Sequence, residues 1–66
     1  MQIGINIKRR RCDRGMTQKR LAESSSVPQA RISAYETGKI TPSLVTLAVI
    51  AGALSCTVSD LVEVSE

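Results

Sequence analysis

Signals that start and stop helices recur along this 66-residue chain and divide it into five short segments. Thr17, Ser43 and Thr57 are typical N-caps, because their hydroxyl groups can accept a hydrogen bond from the first turn of a helix. Gly15 and Gly38 are typical helix stops, because glycine readily adopts the left-handed conformation that ends a helix. No segment alternates between apolar and polar residues as a strand would. The sequence therefore predicts an all-α fold with helices over residues 2–14, 18–24, 29–37 and 44–54, and a fifth helix that begins after Thr57.

The core predicted from this pattern is aliphatic, since Tyr35 is the only aromatic residue. A chain of this length holds one hydrophobic core, so residues 1–66 are expected to form one domain, with residues 64–66 frayed. The fourth helix is expected to be central because its apolar residues follow the spacing of one helical face. Those residues are Leu44, Leu47, Ile50, Ala51 and Leu54, and the residues expected around them are Ile3, Ile7, Leu21, Ala22, Val27, Ile32, Leu61 and Val62.

The two parts of the chain carry opposite charge. Residues 1–39 hold nine basic and three acidic side chains, a net charge of +6, whereas residues 40–66 hold three acids and no base, a net charge of −3. Such a division favours a protein with one face that binds a polyanion.

The inventory of reactive side chains argues against an enzyme. The chain has no histidine, and Cys12 and Cys56 lie 44 positions apart without a CxxC pair or a cluster of metal ligands. We therefore expect no catalytic residue, no metal and no cofactor. A disulfide between the two cysteines is chemically possible, but two free thiols in a cytoplasmic protein are the favoured interpretation.

Membrane insertion and export are not expected. The longest run without a charged residue, 40–59, contains Pro42, Gly52 and several hydroxyl residues, which makes it a poor membrane span. At the N-terminus the apolar residues precede the basic ones, which is the reverse of a secretory signal. A chain that ends at Glu66 is also expected to lack a separate ligand-sensing domain, and therefore a small-molecule ligand.

Residues 17–37 read TQKRLAESSSVPQARISAYET and carry the functional motif. Ala22 stands where two helices would cross closely, Ser26 stands in the turn, and Ile32 stands between the helices. Leu21 and Val27 complete this small core. The segment resembles the helix-turn-helix of the phage-repressor family (Cro/CI-type, or XRE-family, regulators), and the resemblance extends over residues 3–62. It implies a five-helix fold like that of the lambda repressor domain.

The resemblance implies a sequence-specific, double-stranded DNA-binding regulator of transcription. We expect a repressor that binds a pseudo-palindromic operator as a homodimer, with helix 3 in the major groove, in the cytoplasm of a bacterium or encoded by a phage. The alternative is a protein-interaction module or antitoxin that uses the apolar surface of helices 4 and 5, because a fold alone does not establish a function.

Individual roles follow from the family's pattern. The base-reading positions fall on Gln29, Ala30, Arg31 and Ala34. The phosphate-contacting positions fall on Gln18, Lys19, Arg11, Tyr35 and Lys39, although core packing is the favoured main role of Tyr35. Arg11 and Glu36 correspond to a pair that can form a salt bridge between helix 1 and the end of helix 3.

Three residues depart from the family's pattern. Ser26 replaces a turn glycine, which is strained if this residue needs a positive φ, and residues 24–26 are expected to form the turn. Pro28 replaces a capping hydroxyl, so helix 3 is expected to start less firmly or one residue later. Arg10 replaces an apolar residue and is expected to lay its stem over the edge of the core.

Helix 4 also has apolar residues away from its core face. Val45, Val49 and Gly52 have helical spacing there, and with Ile40, Val58 and Val64 they could widen the core or form a seam against a second subunit. Both interpretations remain open from the sequence.

Overall fold

The computed structural model describes residues 2–63, which form five α-helices and no strand. The helices are α1 (Ile3–Asp13), α2 (Gln18–Ser25), α3 (Gln29–Glu36), α4 (Leu44–Ala53) and α5 (Val58–Val62). The predicted all-α, five-helix fold is confirmed, and each helix begins or ends within one residue of the sequence-based bounds. None of these helices has the length and hydropathy that a membrane crossing requires, as far as residues 2–63 are concerned. The predicted fraying of residues 64–66 lies outside the described residues.

The three N-caps expected from the sequence are confirmed. Arg20 N–H donates to Thr17 Oγ1 at 3.0 Å, and Thr46 N–H donates to Ser43 Oγ at 3.2 Å. At α5 a complete capping box forms: Thr57 N–H donates to Asp60 Oδ2 at 2.9 Å, and Asp60 N–H donates to Thr57 Oγ1 at 3.2 Å. The hydrogen bonds that Thr57 provides lower the pKa of the Asp60 carboxyl, because they stabilise its charged form.

The turn between α2 and α3 begins at Ser26, two residues later than expected. Ser24 and Ser25 are helical, and the expected turn there is wrong. Ser25 is buried, and its Oγ donates to the Leu21 carbonyl at 2.7 Å and accepts from Val27 N–H at 3.3 Å. These bonds satisfy its hydroxyl inside the helix, so Ser26 is the residue that leaves it.

Ser26 adopts the left-handed conformation, with φ +59° and ψ +24°. A side chain in this region is strained by about 1 kcal/mol or more, whereas glycine is not. Ser26→Gly is therefore expected to raise the free energy of unfolding by about 0.5–1 kcal/mol, because glycine's extra freedom in the unfolded chain offsets part of the gain. Ser24→Gly is the matched control: it lies inside α2, and glycine there should destabilise by about 0.5 kcal/mol. Urea denaturation measures the free energy of unfolding of both variants. Equal changes in Ser26→Gly and Ser24→Gly would show that Ser26 is not strained.

The core is aliphatic and centres on α4, as the sequence predicts. The buried residues at its centre are Tyr35, the α4 residues Leu47, Ile50 and Ala51, and the α4 C-cap Leu54. The buried residues around them are Ile3, Ile7, Leu21, Val27, Ile32 and Leu61, with Ala22 and Val62 packed partly buried at the edge. Leu44 is a wrong prediction, since it is 74% exposed. It is the first residue of α4 and, like Val45 beside it, lies on the exposed side of the helix.

Gly4 allows α1 to pack closely on the end of α3. A Cβ at this position would overlap the carbonyl oxygen of Tyr35 and lie 2.9 Å from the carbonyl oxygen of Glu36. Both atoms belong to the backbone and cannot rotate away. The absence of a side chain at Gly4 therefore sets the distance between α1 and α3.

Polar contacts tie α1 to α5. The Asn6 amide is buried and donates to the Leu61 carbonyl at 2.9 Å and to the Glu63 carbonyl at 2.7 Å, which satisfies backbone groups at the end of α5. The side chain of Arg10 is 43% exposed, and its Nη2 forms an ion pair with Asp60 Oδ1 at 3.4 Å. This pair accounts for a charged residue where the family's pattern is apolar.

Candidate nucleic-acid interface

The turn between α2 and α3 holds the two helices on one small core. Leu21, Val27 and Ile32 are buried at their junction, and Ala22 is half-buried beside them. Only three residues, 26–28, separate the helices. The residues expected to pack the helix-turn-helix therefore lie together between α2 and α3.

Pro28 precedes α3 and provides no side-chain cap. Its carbonyl oxygen nevertheless accepts hydrogen bonds from Arg31 N–H at 3.0 Å and Ile32 N–H at 3.1 Å. The helix starts at Gln29, so the expected delay of one residue is wrong. The φ of Pro28, −56°, already suits the entry into a helix.

The residues expected to read bases lie on the outer face of α3. Ile32, Tyr35 and Glu36 are buried on the inner face. Outside the core, the side chains of Gln29, Ala30 and Arg31 are exposed and that of Ala34 is half-exposed.

The outer face of α3 has small side chains at its centre and polar side chains at its two edges. With 3.6 residues per turn, Gln29 and Arg31 are about 200° apart around the helix axis when measured through Ala30. Ala30 and Ala34 lie between them. The face can therefore approach a surface closely while two hydrogen-bonding side chains extend on either side.

Glu36 brings α1, α2 and α3 together through one carboxylate. Arg11 Nε donates to Glu36 Oε2 at 2.7 Å, and Arg11 Nη2 donates to Glu36 Oε1 at 3.1 Å. Gln18 Nε2 donates to the same Oε1 at 3.1 Å. The side chains of Arg11 and Glu36 are 11% and 3% exposed. The hydrogen bond to Glu36 raises the pKa of the Arg11 guanidinium above its usual value.

Arg11 was expected either to contact a phosphate or to form a salt bridge with Glu36, and the structure contains the salt bridge. Its third nitrogen, Nη1, donates to the Met16 carbonyl at 2.7 Å, just before α2 begins. All three guanidinium nitrogens are thus occupied within the chain. The sequence did not indicate the bonds from Arg11 to Met16 or from Gln18 to Glu36, because both depend on how the helices pack.

The other expected phosphate contacts differ in exposure. Lys19 lies exposed in the first turn of α2, and Lys39 lies exposed just after α3. Gln18 is half-exposed at the start of α2. Tyr35 is buried, and its ring belongs to the core, which is the main role expected for it.

Most of the basic side chains have no acidic partner in the part of the chain that the structure describes. Arg10 pairs with Asp60 and Arg11 pairs with Glu36. The exposed basic residues without an ion pair among residues 2–63 are Lys8, Arg9, Arg14, Lys19, Arg20, Arg31 and Lys39. They leave strong positive charge on the N-terminal part of the molecule.

An apolar stripe, which we call the α4 stripe, lies on the outer face of α4. Its members are Leu44, Val45, Ala48, Val49 and Gly52, all exposed, with Val45 76% and Val49 45% exposed. Leu44 and Ala48 were not expected there. Ile40 is exposed before α4, whereas Val58 is half-buried against the core and so widens the core instead. Val64, also expected in the seam, lies outside the described residues.

The cysteines are both free thiols, as the sequence favours. Cys12 is exposed, and Cys56 is half-buried. Burial raises the pKa of the Cys56 thiol, because it disfavours the thiolate. Within residues 2–63, no three histidine, cysteine, aspartate or glutamate side chains are grouped as a metal site would require.

Comparison with known proteins gives two matches that cover most of the chain. A family model described as helix-turn-helix matches residues 7–61. The chain is also 39% identical over 62 residues to the immunity repressor protein of Bacillus phage phi105. That match covers 94% of this chain and 43% of the phage protein, so the chain spans less than half the length of this relative.

Proposed function

This chain belongs to the helix-turn-helix family of the Cro/CI type, and from that premise we propose that it is a sequence-specific regulator of transcription that binds double-stranded DNA. The observation that carries the proposal is the exposed outer face of α3 on a domain whose unpaired basic side chains are concentrated in the same part of the chain. The similarity to a phage immunity repressor favours repression over activation. Function here consists of binding, with no chemical step.

In the proposed complex α3 lies in the major groove. Gln29 would pair with adenine and Arg31 with guanine, the base edges that suit an amide and a guanidinium. Ala30 and Ala34 would let the helix approach closely and contact thymine methyl groups. Because Gln29 and Arg31 flank the two alanines, we expect them to read different base pairs.

Phosphate contacts would set the register of α3. We propose Gln18 and Lys19, at the start of α2, and Lys39, just after α3, for this role. Lys19 lies near the positive end of the α2 dipole, where a cation is unfavourable, and a bound phosphate would relieve that conflict. Arg11 and Tyr35 are left to the structural roles that their burial indicates.

We further propose that two copies associate through the α4 stripe. An exposed apolar stripe on a domain of this size is typical of an interface. A two-fold dimer would place its two copies of α3 about 34 Å apart, one turn of DNA, and would read a pseudo-palindromic operator. The alternative, a protein-interaction module or antitoxin, would use the same stripe for another protein.

A salt titration against duplexes of random sequence tests the DNA proposal. Lys19 and Lys39 would give two cationic phosphate contacts per subunit, so a dimer should lose about 100-fold in affinity between 50 and 200 mM salt, because each neutralised phosphate releases counterions. Lys39→Ala should flatten this dependence. Gln29→Ala is the control: its side chain is neutral and proposed to read bases, so the salt dependence should not change. Absent or salt-insensitive binding by the unaltered protein would favour the alternative function.

A further inference from the structure

We infer that Glu36 is a positioning residue for the phosphate contact of Gln18, although it would touch no DNA itself. This inference rests on the proposed function. Glu36 ends α3, Gln18 begins α2, and their side chains are joined by the 3.1 Å bond from Gln18 Nε2 to Glu36 Oε1. One carboxylate thereby links the helix proposed to read bases with a residue proposed to hold the backbone.

The bond to Glu36 determines which way the Gln18 amide faces. A carboxylate can only accept hydrogen bonds, so the amide must present its nitrogen, and not its oxygen, to Glu36. The amide nitrogen carries a second N–H, which among residues 2–63 has no partner. A glutamine held in this way keeps a donor available for a phosphate oxygen and loses little further conformational freedom on binding.

Arg11 removes the electrostatic cost of a carboxylate close to the proposed phosphate. Two of its nitrogens donate to the two carboxylate oxygens, so the pair has no net charge. Without Arg11, the negative charge of Glu36 would repel the DNA backbone. The ion pair therefore supplies a hydrogen-bond acceptor for Gln18 without repelling the ligand that Gln18 would hold.

A double-mutant cycle on duplex binding tests the coupling. The background variant Arg11→Met/Glu36→Leu removes the acceptor but keeps the net charge of the protein, so long-range attraction to DNA is unchanged. In the unaltered protein, Gln18→Ala should weaken binding to random duplexes by about tenfold. In the background variant the same substitution should weaken binding by about twofold or less, since the amide there is no longer oriented.

The outcomes separate the inference from the function it rests on. Equal losses from Gln18→Ala in both backgrounds, with normal binding by the unaltered protein, would overturn the positioning role alone. Absence of duplex binding by the unaltered protein would overturn the proposed function and the inference together.

A measurement on the free, unaltered protein applies even if the background variant does not fold. In NMR spectra, the side-chain amide proton of Gln18 that is held on the carboxylate should exchange with water at least about tenfold more slowly than the side-chain amide protons of exposed Gln29. Exchange as fast as that of Gln29 would show that the amide is not held, and the inference would be wrong.

Discussion

Glu36→Leu is expected to lower the free energy of unfolding by about 3 kcal/mol, because it leaves the guanidinium of Arg11 without its partner in a site that is mostly closed to water. The side chain of Arg11 is 11% exposed, and both hydrogen bonds that it donates to a carboxylate go to Glu36. The substitution also removes the acceptor of Gln18. Urea denaturation followed by circular dichroism measures the change.

The matched control for this prediction removes both charges together. Arg11→Met/Glu36→Leu replaces the ion pair with apolar side chains of similar volume, and such replacements are often neutral or stabilising. We expect the double variant to recover most of the stability that Glu36→Leu loses. A loss below about 1 kcal/mol in the single variant would indicate that the pair behaves like an exposed salt bridge, which contributes little.

The helices were predictable because their ends depend on residues close together in the chain. Thr17, Ser43 and Thr57 each accept a hydrogen bond from the residue three positions later, so the sequence alone contains both partners. Ser25 shows the limit of this reasoning. Its hydroxyl bonds to Leu21 and Val27 and lets it stay helical inside the core, whereas a run of three serines is typical of a turn.

Contacts between distant segments could not be read from local patterns. Asn6 bonds to carbonyl groups 55 and 57 residues away, and nothing near it in the sequence indicates those partners. Leu44 was expected on the core face of α4 from its spacing, but it is 74% exposed. Periodicity gives the direction of a side chain around its helix, but not whether another helix covers it.

The sequence suggested the residues of the candidate interface one by one but not how they connect. The family's pattern indicates Gln18, Arg11 and Glu36 separately, in two different roles. The structure joins all three through one carboxylate. In a domain with one aromatic residue, buried polar bonds of this kind add directionality that the aliphatic core lacks, and so hold α3 at a defined position relative to α1 and α2.

Val49→Glu is expected to make the protein monomeric and to weaken operator binding by about 100-fold or more. In a two-fold interface each residue of the α4 stripe is close to the partner's copy of that stripe, so two carboxylates would be brought together in an apolar contact without partners. A monomer also loses the gain in affinity from holding two half-sites at once. The helical content should not change, because Val49 is 45% exposed and glutamate favours helices.

Sedimentation equilibrium measures the association, and titration with an operator selected from a pool of random duplexes measures the binding. Ser59→Glu is the control: it adds the same charge at an exposed position of α5 outside the α4 stripe, so it should remain dimeric and bind the operator nearly as tightly as the unaltered protein. If Val49→Glu sediments like the unaltered protein, the α4 stripe is not the dimer interface. A selected operator without two-fold symmetry would contradict the dimer itself, whereas a palindrome with half-sites about 34 Å apart would match the proposed spacing of the two copies of α3.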